Sequence, residues 1–257
     1  MSLLLLKLIL TPSLIGAASL AGRKWGDAIS GWLVALPLTT GPIVFLLALT
    51  HGTSFAAETA AGILAGGFSL AAFVWVYGRL ARRLTWLPTL ACATLAFGLM
   101  TLLQKNLSLA VVPLWAGVVA AFLLVMLLLP RGLAANATNE TLPGPWDIPL
   151  RMILATAFVL LITGAAPALG PHLAGLLAPF PLFTATLAAF AQHLHGPGAA
   201  IKVLRGLLLG LFSYASFMLI LALLLEPAGI APAFAAATVV TVALQSAALW
   251  LLKRGLD

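Results

Sequence analysis

Apolar residues fill this chain in nine runs of roughly twenty residues, and short breaks carrying charges, glycines and prolines separate them. A bilayer core about 30 Å thick needs about 20 residues of helix. The runs therefore predict membrane-spanning helices near 3–21, 28–49, 55–78, 85–104, 108–129, 150–168, 172–193, 199–224 and 230–251. Apolar positions follow one another without the alternation that a membrane β-barrel requires, so the expected fold is all-α. The one long polar connection, Pro130 to Trp146, is rich in Asn, Thr, Gly and Pro and reads as a loop between two halves. The first run has no basic stretch ahead of its leucines and is read as a helix, not as a cleavable signal.

The halves are related. Residues 7–104 align without a gap to 151–248, at an offset of 144. Gly26 and Gly31 meet Gly170 and Gly175, Pro37 and Thr40 meet Pro181 and Thr184, and His51-Gly52 meets His195-Gly196. The densest stretch pairs Gly62, Gly66, Phe68, Ser69 and Phe73 with Gly206, Gly210, Phe212, Ser213 and Phe217. About a quarter of the aligned positions are identical. Each repeat holds four predicted spans and so begins and ends on one side of the membrane; the fifth span makes the odd crossing and inverts the second repeat. The expected organisation is a first repeat over 1–105, a linking helix and cytoplasmic loop over 106–149, and a second repeat over 150–257.

Charge supports that layout. With the N-terminus outside and the C-terminus cytoplasmic, eleven of the thirteen Lys and Arg residues fall on the cytoplasmic side, and only Lys7 and Lys105 lie outside. The net charge of +7 is spread singly and in small groups between apolar runs, so it reads as a topology signal and not as a nucleic-acid surface. With 63% hydrophobic and 7% charged residues, lipid is the expected solvent. The single cysteine, Cys92, excludes an intramolecular disulfide and a cysteine metal site.

Candidate chemistry lies at the interruptions. The second predicted span contains Pro37-Leu38-Thr39-Thr40-Gly41-Pro42, and the seventh contains Pro179-Phe180-Pro181-Leu182-Phe183-Thr184. A proline removes a backbone donor and frees the carbonyl four residues before it, here Leu33 and Leu177. Interrupted helices in two inverted halves point to a midplane binding site, although neighbouring threonines can also repair such a kink locally. Ser69 and Ser213 fall near mid-span and would complete a polar belt with Thr40 and Thr184. Their hydroxyls equally suit a bond to their own helix. Tyr214 faces Leu70 in the alignment and would make the halves chemically unequal. Pro37, Thr39, Thr40, Ser69, Pro181, Thr184, Ser213 and Tyr214 are thus the expected substrate-binding residues, with Phe68, Phe73, Phe212 and Phe217 as a gate. The Gly62-x-x-x-Gly66 and Gly206-x-x-x-Gly210 pairs allow close helix packing, and their spans are expected to meet at the centre.

No Asp or Glu lies in the central part of any predicted span, so the usual means of proton or cation coupling is missing. No nucleotide loop, nucleophile elbow or zinc signature occurs. The expectation is a non-enzyme with no cofactor or metal.

The second half, from Leu150 to about Leu252, resembles the GlpM family of small bacterial inner-membrane proteins. Gly175-Leu176-Leu177, Phe180-Pro181, Arg205 and Gly210 to Phe217 carry the resemblance, and Ser30-Gly31-Trp32-Leu33 with Pro37 carries it in the first half. It implies a four-helix unit in the inner membrane, here fused as a double unit, and does not imply a chemistry. The plan is also similar to that of fused double-unit fluoride channels. Here, however, no Asn falls within a predicted span: Asn106, Asn136 and Asn139 lie in loops or at ends. The expected function is a small-solute transporter or permease in the bacterial cytoplasmic membrane for a neutral or anionic substrate, a monomer with an internal pseudo-dimer and no partner besides lipid and solute. The alternatives are a non-transporting scaffold for envelope or polysaccharide assembly and a lipid-carrier flippase.

Overall fold

A computed structural model describes residues 39–106, 109–130 and 147–254, with the single positions Ile9, Pro12, Ser13, Gly16, Leu20 and Pro37. Eight helices and no strand occur among the described residues. They are α1 (Thr40–His51), α2 (Thr53–Leu80), α3 (Trp86–Gln104), α4 (Val111–Leu128), α5 (Asp147–Leu177), α6 (Leu182–His195), α7 (Pro197–Ala228) and α8 (Ile230–Arg254). Six of them are long and apolar enough to cross a membrane, and the chain is a multi-pass helical membrane protein. The predicted first span, the start of the second and the loop after Pro130 lie outside the described residues.

Burial ranks the helices. In the most apolar stretch of α2, 72% is buried, against 22% for α3 and for α4. Leu95, Leu99, Leu102 and Leu103 of α3, and Leu123, Leu124 and Leu127 of α4, are exposed. In water such a surface would aggregate; in a bilayer it is the lipid-facing side. α2 and α7 form the centre, as the sequence leads one to expect. They run antiparallel: Tyr214 of α7 donates to the Ile63 carbonyl at 3.0 Å, while Gly78 lies towards Leu204 at the other end of the contact. α4 lies over both, with Gly117 against Phe68, Val118 against Gly67, and the Phe122 ring edge-on to Phe212 at 6.2 Å.

Helix boundaries repeat along the chain. α2 and α7 begin at Thr53 and Pro197, and α3 and α8 at Trp86 and Ile230, both pairs at the sequence offset of 144. Gly52 (φ 88°) and Gly196 (φ 83°) precede α2 and α7 in the same extended left-handed conformation, which disfavours any residue with a Cβ. The matching His-Gly pairs are therefore helix junctions.

Glycine sets the closest approach, though not where the Gly62 and Gly66 pair was expected to act. Their face of α2 is turned to α5, not to α7. A Cβ on Gly62 would sit 2.6 Å from the His172 carbonyl oxygen, one on Gly66 would overlap Pro179, and one on Gly175 would lie 2.5 Å from the Thr59 carbonyl oxygen. A Cβ on Gly206 would meet nothing within 4 Å among the described residues outside its own helix backbone. At the opposite end of α2, Gln192 of α6 donates to the Ala81 and Leu84 carbonyls and accepts the Tyr77 hydroxyl, closing the end of the helix.

Gly175→Ala is expected to destabilise the protein by about 1–3 kcal/mol, because backbone and not a flexible side chain stands in the way. Gly98, whose Cβ would meet nothing within 4 Å, should tolerate Ala within about 0.5 kcal/mol. Thermal unfolding midpoints in detergent compare the two.

Candidate functional site

The seventh predicted span is two helical pieces. Gly170 (φ 76°) ends the first straight part of α5, and after a short segment to Leu177 the helix stops at Ala178–Pro181 before α6 begins. Pro179 has no N–H, so the Gly175 carbonyl lacks its helical donor. The Leu177 carbonyl, expected to be freed by Pro181, instead accepts Phe180 N at 3.1 Å. Leu182 N turns back onto Phe180 O at 2.8 Å, and Ala185 N reaches Pro181 O at 2.7 Å. In the first half Gly41 N reaches Pro37 O at 2.8 Å. The two proline carbonyls thus accept the same bond at positions 144 apart, and each starts a helix inside the bundle. Leu33 lies outside the described residues.

Two clusters gather round these starts. At the first, the α5–α6 junction packs on α2 and α3: Pro179 lies against Gly66, and Phe180 meets Phe97 edge-on at 5.3 Å. One turn along α2 from Gly66, Ser69 Oγ accepts the Thr101 hydroxyl at 2.9 Å and the Gln104 amide at 3.0 Å. At the second, the start of α1 packs on α7, where a Cβ on Gly41 would lie 3.8 Å from the Phe217 ring; Phe217 in turn lies edge-on to Phe234 of α8. One turn along α7, Ser213 donates to the Gly210 carbonyl at 2.7 Å and accepts the Gln245 amide at 2.9 Å. Ser69–Thr101 and Ser213–Gln245 are the same bond in the two halves, since 101 and 245 also differ by 144.

The expected residues sort as follows. Thr40 and Thr184 are both buried, and the Thr40 hydroxyl has no partner. Thr39 precedes α1 but makes no side-chain cap. Pro37 is half-buried and Pro181 buried. Tyr214 is buried, its hydroxyl proton committed to Ile63. Of the four phenylalanines, Phe68 and Phe212 face α4, Phe217 faces the start of α1, and Phe73 lies beside Tyr77 with ring centroids 5.9 Å apart. The belt is therefore two clusters, not one ring.

Sequence reasoning missed Thr101, Gln104, Thr241 and Gln245. Thr241 is 1% exposed with no partner for its hydroxyl, and both glutamine carbonyl oxygens are likewise buried and unpaired. The signal was present: two glutamines interrupt otherwise apolar runs, and one of them aligns with Thr101. Among the described residues the buried polar groups are Thr, Ser, Gln and Tyr, none carrying a charge, and no cluster of three His, Cys, Asp or Glu could hold a metal. The clusters can exchange hydrogen bonds with a guest; they offer no formal charge.

No protein-family model, curated protein or solved structure matches the chain.

Ser69→Ala should cost about 1–2 kcal/mol, since it takes the acceptor from the Thr101 hydroxyl and leaves the Gln104 amide with the Met100 carbonyl alone. Thr40→Val removes a hydroxyl that bonds nothing, and should leave stability unchanged or raise it. Unfolding midpoints in detergent separate the two variants.

Proposed function

We propose that the chain is a small-solute transporter or permease of the bacterial cytoplasmic membrane, with its binding region between two inverted repeats, for a neutral or anionic substrate. The observation that carries this reading is the pair of helix starts inside the bundle. Proline carbonyls 37 and 181 accept equivalent bonds, and beside each start lie buried polar oxygens without partners. In hydrocarbon an unpaired polar group is costly, so a site that keeps several of them is suited to a guest that completes their bonds. Interior helix N-termini add partial positive charge, which favours an anion or the negative end of a dipole.

Inversion is supported by the antiparallel contact of α2 and α7, by helix starts 144 residues apart, and by serine bonds repeated at the same offset. In this reading residues 1–105 and 150–257 are the repeats, with the helix and cytoplasmic loop over 106–149 between them. The N-terminus is outside, the C-terminus is cytoplasmic, and each repeat is a GlpM-like unit.

A second reading, the non-transporting scaffold, is favoured by the glycine contact of α2 with α5, which is packed so closely through backbone and proline that not even a Cβ fits at Gly62, Gly66 or Gly175.

Reconstituted protein tests the choice. Wild type should raise the flux of at least one of glycerol, urea and chloride above empty liposomes, and Thr40→Val with Thr184→Val should cut that flux about tenfold. Wild-type flux in the double variant would remove both hydroxyls from the site, and no flux at all would favour the scaffold.

A further inference from the structure

Two buried amides narrow the substrate. Gln104 and Gln245 are each 3% exposed, and the carbonyl oxygen Oε1 of each has no hydrogen-bond partner. Neighbouring groups fix the orientation of both. Gln104 Nε2 donates to the Met100 carbonyl at 3.0 Å, a group that only accepts, so Oε1 must lie on the other side. Gln245 Nε2 donates to Ser213 Oγ, whose own proton goes to Gly210 O; a flipped amide would find no donor there. Each half therefore presents a bare acceptor inside the bundle, on the helix that follows the serine-bearing one.

The hydroxyls nearby are consistent with the same partner. Thr241 is one turn from Gln245 on α8. In the antiparallel α7–α8 pair it stands at the level of Phe217, the ring against which Gly41 packs. The hydroxyls of Thr241 and of Thr40, which precedes Gly41, are both unpaired. Bare acceptors repel an anion. No buried carboxylate is present among the described residues to offset the desolvation of a cation. An uncharged molecule carrying N–H or O–H groups meets both constraints.

We propose that Gln104 and Gln245 are two amide stations, one in each half, which accept hydrogen bonds from an uncharged solute bearing N–H or O–H donors. The proposal rests on the permease reading and selects its neutral branch. Two stations beside the α2–α7 contact give such a solute successive acceptors in place of one shared pocket.

The test compares the flux of urea and glycerol with that of chloride and potassium in liposomes holding the full-length protein, for wild type, Gln104→Met, Gln245→Met and Thr241→Val. Met keeps about the volume of Gln and removes the acceptor together with the amide donors to Ser69, Met100 and Ser213. Wild type should pass urea or glycerol and exclude both ions. Each Met variant should lose about tenfold in that flux, and Thr241→Val about threefold. Unfolding midpoints report folding separately. Thr241→Val breaks no bond found among the described residues, so it remains informative if a Met variant does not fold. Wild-type flux in the folded variants overturns the stations. Passage of chloride or potassium in preference to the neutral probes keeps a permease and overturns donor recognition. Passage of no probe overturns the permease reading and the stations with it.

Discussion

Hydrocarbon gives a polar group nothing to bond with, so every backbone and side-chain dipole that enters the membrane must find its partner within the protein. That constraint explains most of what holds this bundle together. Hydrophobic exclusion does not press helices together in lipid; close van der Waals contact and interhelical hydrogen bonds do. Both occur on α2. Glycines 62 and 66 bring it against the backbone of α5, Tyr214 ties it to α7, and Gln192 takes up the Ala81 and Leu84 carbonyls of the turn that follows it. α4 then covers the crossing of the two central helices through Gly117 and Phe122.

Against this background the interrupted stretches stand out, because there the chain gives up helical bonds. At 178–181 two prolines and a back-turned amide replace a continuous helix, and four buried side-chain oxygens beside the two helix starts are left unpaired. The halves share this plan without being equal. Tyr77, which bonds Gln192, corresponds to Leu221; Gln192 corresponds to Ala48; and Tyr214 corresponds to Leu70. The contact of α2 with α6 is thus latched by side-chain hydrogen bonds between the halves, and the residues at the equivalent positions, Leu221 and Ala48, cannot form that latch.

The apolar runs made the membrane helices legible, with starts expected near 55, 85, 199 and 230 and found at Thr53, Trp86, Pro197 and Ile230, where the sequence offset of 144 recurs. Pro179 and Pro181 marked the place of the interruption, but a proline alone does not fix its form: Pro167 sits inside α5 without ending it, whereas the chain stops being helical at 178–181. The destination of the freed groups was less legible. Leu177 O regains a donor from Phe180 through a tighter turn, and the glycine pair of α2 meets α5 because side-chain spacing sets a face but not its neighbour. The glutamines escaped notice for a chemical reason: a search for charge passes over a neutral amide, though in hydrocarbon its unpaired carbonyl still costs about 2–7 kcal/mol.

The central claim is that the two halves cross the membrane in opposite senses. Ser54 and Gly198 occupy equivalent positions 144 residues apart, each just inside the start of a long helix. Replacing each singly by Cys, in a chain whose one native cysteine is changed by Cys92→Ala, allows labelling with a membrane-impermeant maleimide from either face of sealed vesicles. The account predicts that the two positions react from opposite faces. Reaction of both from the same face would contradict it.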